Sequence, residues 1–142
     1  MNKTVLVSTL AFFVAGCACI DPRDRMPDPS YPAVSIVDDE QIVVNQEPLF
    51  FKERKKVTIT WQLPSDSKYT FPEGDADLKH MKDGKWTPGS DGEIVDCKPK
   101  AKSKGLEFTC ENKHTKAGTY KYTIRVIGPG KKLELDPTIV NY

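Results

Sequence analysis

Val57-Thr58-Ile59-Thr60-Trp61-Gln62-Leu63 alternates apolar and polar side chains at every step. In an extended chain Val57, Ile59, Trp61 and Leu63 fall on one side, and Thr58, Thr60 and Gln62 on the other. This is the period-two pattern of a strand with one buried face, and β-branched and aromatic residues suit such a strand. Thr119 to Ile127 repeats it, with Tyr120, Tyr122, Ile124 and Val126 inward and Lys121, Thr123 and Arg125 outward. Working outward, shorter runs at 34–37, 41–44, 49–52, 78–82, 85–87, 94–101, 106–111, 132–135 and 138–140 predict further strands. Asp83-Gly84 lies between two of them as a two-residue hairpin turn. Gly128-Pro129-Gly130 ends the long strand at another. No stretch sustains helical periodicity over three turns. Many short strands separated by turn signals predict an all-β sandwich or barrel.

The chain has 142 residues, room for one such domain. Lys and Arg number 21 against 20 Asp and Glu, which argues against a dedicated nucleic-acid binder. Apolar residues make up 38%, and the mean hydropathy of −0.50 is far from that of an integral membrane protein. The folded body spans 34–142 and is expected to be a single immunoglobulin-like Greek-key sandwich. Trp61, Trp86, Phe108 and Tyr122 are placed in its core.

The first sixteen residues read as an export signal. Lys3 gives a positive start, and the apolar run from Thr4 to Ala15 is shorter than the roughly 20 residues a membrane span needs. Val14-Ala15-Gly16-Cys17 then resembles the lipobox of bacterial lipoproteins. That resemblance implies a diacylglycerol on the Cys17 thiol, cleavage before Cys17 and acylation of the new amino group. Two or three acyl chains attach a protein to a membrane durably, whereas one does so marginally. Ala18, where the enterobacterial family uses Asp to retain proteins in the inner membrane, implies sorting to the outer membrane, facing the periplasm. Residues 17–33 hold Pro22, Pro27, Pro29 and Pro32, which exclude a helix and favour an extended tether of up to about 50 Å.

Four cysteines are present. Cys17 is assigned to lipid. Export places Cys97 and Cys110 in an oxidising compartment, and a hairpin about 102–105 sets them opposite each other with Pro99 opposite Phe108, so a disulfide is expected. Both cysteines then face inward with Val95, Pro99, Leu106 and Phe108. Cys19 is left over, as a free thiol, an intermolecular link or an incidental residue.

No reactive constellation stands out in the sequence. His80 falls in the 78–82 strand and His114 in a polar loop, both expected as surface histidines without metal-ligand spacing. Gly89-Ser90 belongs to a turn rather than a nucleophile elbow. Asp38-Asp39-Glu40 reads as a loop, since calcium needs six or more oxygens from several segments. No catalytic residue, metal or cofactor is assigned.

Charge is uneven. Residues 18–48 carry seven acids and two bases, and 49–142 carry thirteen acids and eighteen bases. Lys52, Arg54, Lys55 and Lys56 form one cluster. Lys98, Lys100, Lys102 and Lys104 form another, read either as protection of a sheet edge or as a patch for an acidic protein, an anionic glycan or the membrane surface. The stretches from Gly118 to Val126 and from Leu135 to Asn141 are similar to the end of small bacterial immunoglobulin-like domains, a resemblance that implies no catalytic residues. The expected function is that of a non-enzymatic, lipid-anchored envelope protein binding another protein or an envelope component. The alternatives are an inhibitor or immunity lipoprotein against a secreted enzyme, like the lipoprotein-type lysozyme inhibitors in size, anchor and β-content, or an envelope hydrolase.

Cys17→Ser removes the thiol to be acylated. The variant is expected to lose palmitate incorporation and to persist as uncleaved precursor. Labelling that survives the substitution would refute the anchor.

Overall fold

The computed structural model describes residues 27–74 and 76–142. The signal segment, Cys17 and Cys19 lie outside them. Twelve strands form, and no helix is present among the described residues. They are β1 (Val34–Val37), β2 (Gln41–Val44), β3 (Leu49–Phe51), β4 (Val57–Gln62), β5 (Leu78–Lys82) and β6 (Lys85–Pro88). There follow β7 (Ile94–Pro99), β8 (Glu107–Asn112), β9 (Gly118–Tyr122), β10 (Ile124–Gly128), β11 (Lys131–Leu135) and β12 (Thr138–Asn141).

Two sheets face each other. One has the order β3-β12-β9-β5-β6 and the other β4-β8-β7. All neighbours are antiparallel except β12 and β3, which run parallel. The long strand foreseen over 119–127 is divided at Thr123: β9 stays in the large sheet, and β10 turns away to pair with β11. Inward residues of the two strongest runs meet in the core, where Ile59, Trp61, Tyr120, Tyr122, Ile124 and Val126 are all buried. The Trp61 and Tyr122 rings lie 4.6 Å apart, and the indole N–H donates to the Tyr122 hydroxyl at 3.0 Å. Asn112 of β8 and Asn141 of β12 form a second tie between the sheets, a reciprocal amide pair at 2.8 and 3.0 Å.

The Asp83-Gly84 turn closes β5 and β6 with Lys82 opposite Lys85, both turn residues having positive φ. Cys97 and Cys110 are joined, with Pro99 opposite Phe108 as expected. The strand β7 carries a bulge, however. Val95 faces Glu111 and Lys98 faces Thr109, so Asp96 and Cys97 together oppose Cys110, and Asp96 takes a φ of 52°. One extra residue reverses the inward side upstream of it. Ile94, not Val95, is therefore the buried residue.

Two further expectations are corrected. Trp86 is not in the core: it sits on the edge strand β6, 38% exposed. His114 is not on the surface: it is 1% exposed, with Nε2 donating to the Tyr142 carbonyl at 2.9 Å. Conversely, Tyr69 and Phe71 join the core from a segment with no strand pattern, because Thr70 bridges to Ile127 and turns both neighbours inward. Gly128 makes room for this, since a Cβ there would stand 2.3 Å from the Tyr69 ring. The end of the proline-rich segment also docks: the Ser30 carbonyl accepts from Thr60 N–H and the Pro32 carbonyl from Gln62 N–H.

Trp61→Ala would empty the space between the sheets and is expected to cost about 3–5 kcal/mol. Tyr122→Phe removes only the acceptor of the indole N–H and is expected to cost about 1–3 kcal/mol. Chemical denaturation of both variants checks this ranking, which an equal or reversed order would contradict.

Candidate functional site

The outward faces of the two sheets differ in kind. On the three-stranded sheet the outward positions are Thr58, Thr60 and Gln62 of β4, Glu107, Thr109 and Glu111 of β8, and Lys98 of β7, with Lys100 just past the end of β7, its N–H donating to the Glu107 carbonyl. Ion pairs join them, Lys100 to Glu107 and Lys56 to Glu111. Lys98 is exposed on the edge strand and Lys100 just beyond its end, while Lys102 and Lys104 are exposed in the following turn with positive φ. The four lysines thus follow one another from the edge strand into the turn, and the outward position of β7 upstream of the bulge is the half-buried Val95. The second basic cluster, Lys52 to Lys56, is an exposed loop in which Lys55 pairs with Glu53.

The five-stranded sheet carries a row that the sequence reading missed. Register places Phe50 beside Val140, Val140 beside Thr119, and Met81 beside Trp86. Because Lys79 faces Lys121 on β9, Met81 falls beside Thr119. Phe50, Val140, Thr119, Met81 and Trp86 therefore form one line across all five strands, on the face turned away from the core. At about 4.8 Å per strand the line is about 19 Å long. Met81 is 40% and Trp86 38% exposed, and Tyr142 extends the row at its other end, its ring 6.0 Å from that of Phe50.

A parallel row runs alongside: Thr138, Lys121, Lys79 and Pro88. The Lys121 ammonium stands 5.1 Å from the Trp86 ring centre, a cation–π contact that fixes the indole on the face. Among the described residues neither Lys79 nor Lys121 has a carboxylate within salt-bridge distance, and the same holds for Lys82 and Lys85 at the hairpin tip. Carboxylates near this face are otherwise engaged. Asp91 pairs with Lys116, which holds its carboxyl below the usual range. Glu47 accepts the Thr138 N–H at 2.9 Å. Burial raises its carboxyl, only partly offset by Thr138 and the charge of Lys121.

Beside Met81 and Thr119 lies a shallow groove that includes His80, Asp91 and Lys116. His80 is held there, its Nδ1–H donating to the Gly89 carbonyl at 2.9 Å. Beneath the groove Tyr120 is buried, which pushes its hydroxyl up to about 12, with Glu93 and Asp91 adding to the effect. Glu93 is itself buried; desolvation raises its carboxyl, yet Thr115 and Lys116 outweigh this and hold it below the ordinary value. It binds the Thr115 N–H and hydroxyl and so anchors the loop before β9. Asp39 of the acidic triplet is tied to Lys68 and Tyr69. Among the described residues no three His, Cys, Asp or Glu side chains are grouped as a metal ligand set.

No family model matches the chain, and no curated protein matches it. The site is therefore described by its own chemistry: a largely apolar line, edged by lysines, on the outer face of a sheet, with Met81 and Trp86 exposed.

Trp61 is fully buried and Trp86 is exposed beside a lysine. Iodide is therefore expected to quench the exposed tryptophan emission more strongly than caesium at equal ionic strength, relative to free tryptophanamide, and Trp86→Phe to remove the quenchable part. Caesium quenching as strong as iodide on that scale would show that no positive field surrounds Trp86.

Proposed function

We propose that this protein is a lipid-anchored bacterial envelope protein, not an enzyme, that binds a protein partner through the outer face of its five-stranded sheet. The lipobox Val14-Ala15-Gly16-Cys17 supports anchoring, and Ala18 supports the outer membrane facing the periplasm. The crossings of the chain between β3-β12-β9-β5-β6 and β4-β8-β7, at β3 to β4, β4 to β5, β6 to β7 and β8 to β9, support the immunoglobulin-like Greek key. A tethered domain gains effective concentration near its partner without any new contact, which suits a binding role.

The single observation behind this reading is the line from Phe50 to Trp86. Outward positions of a solvated sheet face are ordinarily polar, as they are on the opposite sheet. Four apolar side chains in a row of five, with Thr119 in the middle and lysines alongside, have the composition of the centre of an interface. Edge pairing is a weaker candidate. Pro88 interrupts the β6 edge and Pro99 with the bulge interrupts the β7 edge, lysines flank both, and the Ser30 and Pro32 carbonyls already occupy the β4 edge. The grooves favour binding over catalysis in the same way: Asp91 is tied to Lys116, and Asp77 and Glu134 to Arg125.

A photo-crosslinking amino acid placed at Met81 is expected to give a discrete protein adduct in the envelope of intact cells. The same group at Thr109 or Lys100, on the other sheet, is expected to give none. Adducts of equal yield from both sheets, or only from Thr109 or Lys100, would overturn the proposed face.

A further inference from the structure

We infer that the partner segment lying on this face is acidic as well as apolar, with carboxylates reaching Lys79 and Lys121 while its apolar side chains lie along Phe50, Val140, Met81 and Trp86. The inference rests on the reading of this face as a binding surface and adds the chemistry of what binds. Lys79 and Lys121 sit next to each other across β5 and β9, directly beside the apolar line. Neither is neutralised by an ion pair among the described residues, whereas Lys100, Lys116 and Arg125 all are. Two adjacent like charges on a sheet repel each other, and they are better accommodated by an incoming negative charge than by more apolar surface.

Charge also selects among the possible occupants. A second copy stacked face to face would bring two such lysine pairs to one interface, a like-charge arrangement that costs affinity. A membrane surface would present charge without filling a line of half-buried side chains about 19 Å long. A segment with alternating apolar and acidic side chains meets both rows at once. An extended strand laid along the line, or one side of a helix, has the required reach.

The test uses residues 17–142, produced without the signal segment and with Cys17→Ser in place of the acylated thiol, and three amphipathic peptides of one design, built from Leu with Glu, Gln or Lys, read by Trp86 emission. The Glu peptide is expected to bind at least tenfold more tightly than the Gln peptide in low salt, the Lys peptide least. The Glu preference is expected to shrink as salt rises. Lys79→Glu with Lys121→Glu is expected to invert the order. Lys79→Gln with Lys121→Gln, which keeps the face polar, is expected to abolish the preference if the reversed-charge protein fails to fold. Equal binding of all three peptides, or no binding of any, overturns the acidic partner. So does self-association on sedimentation that Trp86→Ala abolishes. A Trp86 emission shift with phosphatidylglycerol vesicles but not with the Glu peptide overturns it as well. Adducts from Met81 persisting in any of these cases leave the binding face standing. Their absence removes both readings together.

Discussion

The contact between Trp61 and Tyr122 is the constraint on which the rest of the molecule depends. Each ring is the largest side chain its sheet contributes to the interior, and each comes from the strand with the clearest alternation. Large aromatics bury much apolar area, but each also carries a polar atom that would be costly to leave dry. The hydrogen bond between them solves both problems with one geometry, and in doing so fixes which residue of β4 lies over which residue of β9. The Asn112–Asn141 amide pair sets the same spacing elsewhere between the sheets. The disulfide does not share this task. It joins β7 to β8 within one sheet and leaves the two sheets to be held by packing and by these polar ties.

With the interior registered in this way, the parity of every strand is set and the outer faces follow without further choice. On the three-stranded sheet the outward parity holds threonine, glutamate and lysine, closed by ion pairs. On the five-stranded sheet it holds Phe50, Val140, Met81 and Trp86, beside two lysines with no carboxylate at salt-bridge distance among the described residues. The difference is one of solvation. The first face is satisfied by water and its own charges, while the second gains free energy when water is displaced from it. Both ends of the apolar line are aromatic, and the exposed Trp86 is held in place by Lys121, so the surface is organised before anything binds.

Much of the fold was legible because strand formation is local. All twelve strands fall on runs of alternating residues or beside turn residues, and the Asp83-Gly84 hairpin and the Cys97–Cys110 pairing followed from spacing. The site was less legible. Once Asp83-Gly84 is taken as a two-residue turn, Met81 must face Trp86, so their adjacency was available from sequence. Which side of the sheet they occupy was not, because Leu78-Lys79-His80-Met81-Lys82 offers an apolar residue to each face. A large aromatic is more often buried than not, and that tendency placed Trp86 on the wrong side. Val95 failed for a different reason: the bulge at Asp96 adds one residue that alternation cannot register. Tyr69 and Phe71 lie in a segment without a strand of its own, and only the bridge from Thr70 to Ile127 turns them inward.

The all-β class, the strand positions and the disulfide were already written in the sequence, as was the four-residue motif on which the proposed lipid anchor rests. These depend on residues near one another in the chain: a motif of four, an alternation of seven, a turn of two, a hairpin of about fourteen. The tertiary structure alone decided that His114 is buried, that β9 and β10 part at Thr123, and that five outward residues from five strands fall into one line. Phe50, Met81, Trp86, Thr119 and Val140 are separated by as many as ninety residues. Their alignment depends on the registers of four strand pairs, and a shift of one residue in any of them would move a side chain to the opposite face.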